Sequence, residues 1–163
     1  MTFNVDTPIR LADRYKNKQV PVSLGVNVLA EDRVAIQDVL LRYAAGADDR
    51  DLAMYRSCFA DDVEIIGFSG GTVTGADFWV ETVQKKLAAF AETQHHMTPV
   101  LVRIDGDTAT ARTDVQALHY LKDKPGATMT LWATYLTDLV RSPEGWKITR
   151  HELVRRGTRT AEA

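Results

Sequence analysis

The chain has 163 residues, of which 45% are apolar, and a formal net charge of −2 at pH 7. This composition suits one domain with a substantial core, and the balanced charge gives no indication of nucleic acid or a membrane surface as a partner. The single cysteine, Cys58, excludes an intrachain disulfide and argues against a zinc site. Because no apolar run is long enough to span a bilayer and no secretory signal opens the chain, we expect a cytoplasmic protein.

The first part of the chain is expected to be an arm followed by helices. Residues 1–29 show no long periodic pattern and are interpreted as the arm. A helix is predicted over 29–47, where apolar residues recur at three- and four-residue spacing and acidic residues occupy the first turn. Shorter helices are predicted over 52–59 and 76–90, with a short strand at 63–66 and a glycine-rich turn between them.

The second part of the chain is typical of an antiparallel meander. Turns that contain Asp-Gly, Pro-Gly and Pro-Glu-Gly separate four predicted strands, at 98–104, 108–121, 127–140 and 146–154. The polar residues 156–163 are expected to form a flexible tail. Helices followed by such a meander indicate an α+β domain over residues 30–155, with helices packed on one curved sheet around a conical pocket.

Asp48 and His95 are the main candidates for chemistry. Asp48 ends the apolar stripe of the first helix, where a carboxylate is costly unless a donor pairs with it. His95 and His96 are neighbours in an extended segment, so at most one faces the cavity, and we predict that it is His95. Asp48 would then fix the tautomer of His95 and raise its basicity, which suits a general base and acid. Tyr43 would donate a hydrogen bond to a developing oxyanion.

These parts favour elimination of water, a double-bond shift or an aldol closure. None of these reactions requires a metal or a nucleotide, so we predict no cofactor and no metal. Other interpretations remain open: an aspartate capped by His95 can be purely structural, and Tyr43 can be a helix packing residue. An iron site made from His95, His119 and Asp48 is a further alternative, although the spacing is not specific for it.

Further side chains are candidates for contact with a ligand. Alternation along the predicted strand 108–121 places His119 on the inner, apolar face, either as an interior histidine or as a pocket residue. Tyr55 and Trp79 lie on the packing faces of the second and third helices. His151 is expected to be exposed or at the mouth of the pocket.

Three stretches of the chain, 35–63, 93–109 and 145–148, resemble one protein family. From about residue 31 to residue 155 the sequence is similar to the SnoaL-like branch of the nuclear transport factor 2-like superfamily, in particular to scytalone dehydratase and bile-acid dehydratase. The resemblance implies an α+β fold with a cone-shaped barrel, a curved antiparallel or mixed sheet closed by N-terminal helices. It also implies a homodimer.

The resemblance extends to site residues. It matches Asp48 and His95 to the catalytic dyad of these dehydratases, Tyr43 to a tyrosine of bile-acid dehydratase, and His119 to a second pocket histidine of scytalone dehydratase. Tyr135 falls near a pocket asparagine and is assigned to ligand binding. We therefore predict a cofactor-independent dehydratase, isomerase or cyclase that acts on a hydrophobic, oxygenated cyclic small molecule. The alternatives are a non-catalytic small subunit of a ring-hydroxylating oxygenase and a small-molecule-binding protein of the same fold.

Overall fold

A computed structural model describes residues 26–68 and 70–162. The predicted arm, residues 1–29, lies almost entirely outside this part of the chain. The helices are α1 (Val26–Asp48), α2 (Leu52–Ser57) and α3 (Ala76–Leu87), and the third helix follows the first two strands. The strands are β1 (Phe59–Ile66), β2 (Thr72–Thr74), β3 (Phe90–Met97), β4 (Leu101–Asp105), β5 (Thr108–Leu121), β6 (Thr128–Ser142) and β7 (Gly145–Ala161).

Within the described residues, the strands form one seven-stranded sheet in the order β2-β1-β7-β6-β5-β3, and β4 also pairs with β5. The β1–β7 pair is parallel and the other pairs are antiparallel, so the sheet is mixed. Register shifts in the β1–β7, β3–β5 and β6–β7 pairs add local bends. The α+β class is confirmed. The sheet is curved but does not close into a full barrel, and the helices cover its inner face.

Helix α1 lies across the sheet, in contact with β3, β4 and β7, while α3 packs against β1 and β2. The buried face of α1 follows the predicted helical spacing and consists of Ile36, Val39, Leu40, Tyr43, Ala44 and Ala47. No helix of residues 26–68 and 70–162 is long and apolar enough to cross a membrane.

The start of α1 differs from the prediction. The helix begins at Val26, so the acidic residues do not lie in its first turn. Instead Asp32 is buried and accepts hydrogen bonds of 2.7 Å from Arg141 Nη1 and Nη2 and of 3.1 Å from Trp146 Nε1. The paired Arg141 guanidinium outweighs burial and lowers the pKa of Asp32. Asp32 therefore ties α1 to β6 and β7.

The segment that carries His95 was predicted to be extended, between a helix over 76–90 and a strand at 98–104, but it was not recognised as a strand of the sheet. Helix α3 ends at Leu87, and β3 then pairs with β5, with His95 opposite Ala117. Its side chains do not alternate clearly between apolar and polar, so the sequence pattern is weak there. Pairing with the long strand β5 determines the extended conformation.

The end of the chain also differs from the prediction. The segment expected to be a flexible tail from residue 156 continues β7 to Ala161. The first residues of β6, from Thr128 to Leu131, pair with Ala161 to Thr158 of β7. This pairing satisfies the backbone hydrogen-bonding groups of the last residues of β7, and their polar side chains give no indication of it. The second helix likewise ends at Ser57, because Phe59 already pairs with Ile148 in the sheet.

Candidate active site

A cavity of about 450 Å³ lies between the helices and the inner face of the sheet. Every predicted site residue except Asp48 lines it. These residues are Tyr43, Tyr55, Trp79, His95, His119 and Tyr135. The rest of the wall is mainly apolar, with two cationic side chains, Lys86 and Arg155. The cavity is thus open and largely apolar, with a few polar groups, which is typical of a small-molecule site.

Asp48 contacts His95 at the end of α1. Its Oδ1 lies 2.6 Å from His95 Nδ1, and its Oδ2 accepts a hydrogen bond of 2.7 Å from the main-chain N–H of the same residue. An ionised carboxylate only accepts, so the Nδ1 atom of His95 carries the proton that points at Asp48. The second ring nitrogen, Nε2, is then the basic atom left for a ligand in the cavity.

Asp48 also accepts a hydrogen bond of 2.9 Å from the hydroxyl of Thr93. Burial by itself would raise the pKa of Asp48. The ring and main-chain hydrogen bonds from His95, its charge and the Thr93 hydroxyl outweigh burial, and the pKa of Asp48 lies below its ordinary value. Asp48 is therefore ionised at neutral pH and stabilises a positive charge on the neighbouring imidazole.

Three phenols and an indole also line the cavity. The ring of Tyr43 lies 5.0 Å from that of Tyr55 and 5.7 Å from that of Tyr135, and Trp79 Nε1 donates a 3.0 Å hydrogen bond to the Tyr55 hydroxyl. Burial raises the pKa of Tyr43 well above its ordinary value, so it stays protonated. Side-chain hydrogen bonds link Tyr43 to Tyr55 and Tyr135, so the three hydroxyl groups form one cluster.

His119 lies on the inner face of β5, as strand alternation predicts. It is 9% exposed, its ring packs 4.6 Å from that of Phe90, and its Nδ1 lies 3.3 Å from the carbonyl oxygen of Met129. Burial, followed by the charge of His95, lowers the pKa of His119, so this imidazole is neutral at pH 7. Among the described residues no group of three or more histidine, cysteine or acidic side chains is arranged to hold a metal ion.

Comparison with known proteins identifies the family of this chain. The model of the SnoaL-like domain matches residues 29–152. The chain belongs to the SnoaL-like domain family. An uncharacterized Mycobacterium tuberculosis protein is 30% identical over 125 residues, which cover 73% of this chain and 82% of the relative. The resemblance inferred from the sequence is therefore confirmed.

Two solved structures from Novosphingobium aromaticivorans share the SnoaL-like architecture. One, assigned as an aromatic ring hydroxylase, is 27% identical, with a TM-score of 0.74 over 81% of this chain and 94% of its own. The other, assigned as a scytalone dehydratase, is 22% identical, with a TM-score of 0.74 over 84% of this chain and 91% of its own. The second likeness shows the fold alone.

The remaining two histidines of this SnoaL-like chain lie outside the cavity wall. His96 is exposed on the opposite face of β3, in a groove that also contains Trp132. His151 was expected to be exposed or at the mouth of the pocket, but it is fully buried. Its Nδ1 lies 2.9 Å from the Thr137 hydroxyl, and its ring packs against Tyr43, Phe68 and Tyr135. The expectation failed because β7 has an extra residue, Thr149, at a register shift against β6, and this shift turns residue 151 to the buried face.

The sequence analysis missed several residues that complete the site. Thr93 lies two positions before His95 on the same face of β3, and strand alternation would have indicated it had β3 been recognised. Phe68, next to Gly67 in the turn after β1, lies in the cavity wall and stacks on Tyr135. Arg50, in the corner after α1, donates to Thr93, and no pattern in the sequence indicates this contact.

Proposed function

We propose that this SnoaL-like protein is a proton-transfer enzyme that dehydrates, isomerises or cyclises a hydrophobic, oxygenated ring compound. The observation that carries the proposal is the 2.6 Å contact between Asp48 Oδ1 and His95 Nδ1, with His95 in the wall of an open cavity of about 450 Å³. Because Asp48 accepts a hydrogen bond from the protonated Nδ1 of His95, the unprotonated Nε2 of His95 is the general base.

A dehydration illustrates how these groups would work. His95 Nε2 takes the proton from a carbon next to a carbonyl group, and the electron pair moves onto the carbonyl oxygen. A hydroxyl of the phenol group around Tyr43 donates a hydrogen bond to this oxygen. The imidazolium, stabilised by Asp48, then gives its proton to the departing hydroxyl. Water leaves, a carbon–carbon double bond forms, and His95 is neutral again.

The cavity wall supports the proposed class of ligand. Aromatic and aliphatic side chains dominate it, and the aromatic faces suit a flat ring system. The phenols, Lys86 and Arg155 supply donors for the oxygen atoms of the ligand. One structural neighbour that shares the fold is assigned the name scytalone dehydratase, and a dehydratase removes water.

The proposal is tested with 5-nitrobenzisoxazole, a flat aromatic ring that opens when a base removes its C–H proton and the N–O bond breaks. The coloured phenolate product gives the rate directly. We expect the wild-type protein to accelerate this elimination above buffer at the same pH. His95→Ala and Asp48→Asn should each reduce the acceleration about 100-fold, the usual contribution of a positioned general base.

The matched control is His96→Ala, because His96 is the sequence neighbour of His95 but is exposed on the other face of β3. This variant should retain the wild-type rate, and circular dichroism should show that all three variants fold. A wild-type protein that is no faster than buffer, or a His95→Ala variant as fast as wild type, would contradict the proposed chemistry.

A second candidate function is a non-catalytic subunit of a ring-hydroxylating oxygenase. One observation favours it, the 27% identity with a structure assigned as an aromatic ring hydroxylase. The open cavity and the aligned Asp48–His95 pair favour catalysis instead. Copurification of a large oxygenase subunit with the tagged chain from its native cells would support the second candidate. A homo-oligomer without such a subunit would count against it.

We further propose that the chain forms a homodimer through the outer face of the sheet. Trp132 is 38% exposed there, in a groove lined also by His96, Met97, Arg112 and Arg156. Burial of the indole against a second copy would remove apolar surface from water. Light scattering after gel filtration should give the mass of a dimer for the wild type and of a monomer for Trp132→Glu. A wild-type monomer would overturn this proposal.

A further inference from the structure

Arg50 lies at the corner that joins the helix carrying Asp48 to the rest of the site. Its Nη1 atom donates hydrogen bonds of 2.6 Å and 3.1 Å to the carbonyl oxygens of Ala47 and Asp48, and of 2.8 Å to the Thr93 hydroxyl. A cation at the carbonyl end of α1 is favourable because the last carbonyl groups carry partial negative charge. One guanidinium thus connects the end of α1 to β3.

The backbone of Arg50 adopts an unusual conformation. Its φ is +60°, and within the described residues no other non-glycine residue has a positive φ. For an L-amino acid with a large side chain this conformation costs about 1–2 kcal/mol, and a glycine would avoid the cost. An arginine in this conformation is consistent with a role for its side chain at this place.

A series of hydrogen bonds connects Arg50 to His95 through Thr93 and Asp48, and the donor and acceptor of each bond can be assigned. A guanidinium can only donate, so Thr93 Oγ1 accepts from Arg50 and its hydroxyl proton is directed away from the guanidinium. That proton points at Asp48 Oδ1, 2.9 Å away, because the ionised carboxylate can only accept. The same Oδ1 atom accepts from His95 Nδ1. Each group fixes the orientation of the next one along the series.

We propose that Arg50 and Thr93 are positioning residues, which orient the Asp48 carboxylate so that His95 presents an unprotonated Nε2 to the cavity. Neither residue lines the cavity, so both act through Asp48. The proposal rests on the proposed function for its purpose. Its test, however, measures the pKa of Asp48 and the tautomer of His95 without any substrate, so the two proposals can fail separately.

The first measurement is the titration of Asp48, followed by carboxylate carbon NMR shifts in labelled protein. The Thr93 hydroxyl is one of the groups that lower the pKa of Asp48. Thr93→Val keeps the shape of this buried side chain and removes the donor, so the pKa of Asp48 should rise. Thr93→Ser restores the hydroxyl and should return the pKa towards the wild-type value.

Arg50→Gly tests the role of the guanidinium that donates to Thr93. It removes the guanidinium and also relieves the positive φ, so the backbone itself loses no stability. We expect the pKa of Asp48 to rise as in Thr93→Val. Nitrogen NMR of the His95 ring should show the Nδ1–H tautomer in the wild type and a mixture of tautomers in both variants.

The matched control is Thr113→Val, which removes the hydroxyl of another buried threonine of the sheet, one that donates to Thr98 instead. It should leave Asp48 and His95 unchanged, whatever it does to stability. If Thr93→Val and Arg50→Gly both leave the titration of Asp48 and the tautomer of His95 as in the wild type, the positioning role is wrong. Should Thr93→Val fail to fold, Arg50→Gly decides the question alone.

Discussion

Asp48 binds His95 at two points, through Oδ1 to the ring nitrogen Nδ1 at 2.6 Å and through Oδ2 to the main-chain N–H at 2.7 Å. One carboxylate therefore fixes both the position of β3 and the orientation of the imidazole it carries. The two residues are 47 positions apart in the chain, and packing of α1 against β3 brings them together.

The two-point contact predicts the effect of Asp48→Asn. The ring and the main chain of His95 contact different oxygens of Asp48, and an amide places a donor NH2 group at one of these two positions. We expect nitrogen NMR to show a change from the Nδ1–H tautomer towards the Nε2–H tautomer. Asp49→Asn, at the exposed neighbouring position, is the control and should leave the ring unchanged. An unaltered tautomer in Asp48→Asn would mean that Asp48 does not control it.

Gly46 in α1 predicts a stability change of unusual sign. In most helix interiors Gly→Ala gains about 1 kcal/mol. Here an added Cβ would lie 2.7 Å from the main-chain nitrogen of Tyr55 and 3.0 Å from the carbonyl oxygen of Asp51. Gly46→Ala should therefore lower the free energy of unfolding by about 1–3 kcal/mol, because α2 must move away from α1.

Urea denaturation measures this change, with Gly157→Ala as the control, since a Cβ on Gly157 meets open space. A Gly46→Ala variant as stable as the wild type would show that α2 adjusts without cost. The same variant should also weaken catalysis of the 5-nitrobenzisoxazole elimination, since Asp48 lies only two residues further along α1.

Filling the cavity should prevent binding without loss of the fold. Leu131 lies in the cavity wall on β6 and is partly buried. Leu131→Trp adds an indole ring to the space that we assign to the ligand, so binding of the fluorescent ring compound 2-naphthol should weaken at least tenfold. Thr130→Trp, the neighbour on the other face of β6, is the control and should bind as the wild type does. Equal binding by Leu131→Trp and wild type would place the ligand elsewhere.

Buried His151 predicts a loss of stability in mild acid. Burial lowers the pKa of His151 to about 3, whereas a histidine in the unfolded chain titrates near about 6.5. Between about pH 6.5 and pH 3, His151 thus binds a proton in the unfolded state but not in the native state. The stability is fully present above about pH 6.5 and falls as the pH decreases towards 3, by up to about 1.4 kcal/mol per unit.

His151→Phe keeps an aromatic ring against Tyr43, Phe68 and Tyr135 but cannot take up a proton. Relative to this variant, the wild type should lose up to about 2 kcal/mol of unfolding free energy between pH 7.5 and pH 5, measured by urea denaturation. Two unfolding free energies that change in parallel over this range would show that His151 does not contribute to the acid sensitivity.

Much of the architecture could be predicted from local patterns. The three- and four-residue spacing of apolar side chains predicted the buried face of α1, because a helix places such positions on one side. Alternation along β5 predicted that His119 faces inward, and Asp-Gly and Pro-Glu-Gly sequences predicted the turns of the meander. These features depend on neighbours within a few residues of each other, and the sequence by itself contains that information.

Features that depend on partners far along the chain were decided only by the tertiary structure. β3 is a strand because β5 pairs with it, and β7 continues to Ala161 because the first residues of β6 pair with its end. His151 is buried because a register shift between β6 and β7 turns it to the inner face. The contact of Arg50 with Thr93 spans 43 positions and requires α1, the corner after it and β3 to be in place together. Such contacts arise from packing and hydrogen bonding across elements, and no periodicity along the chain records them.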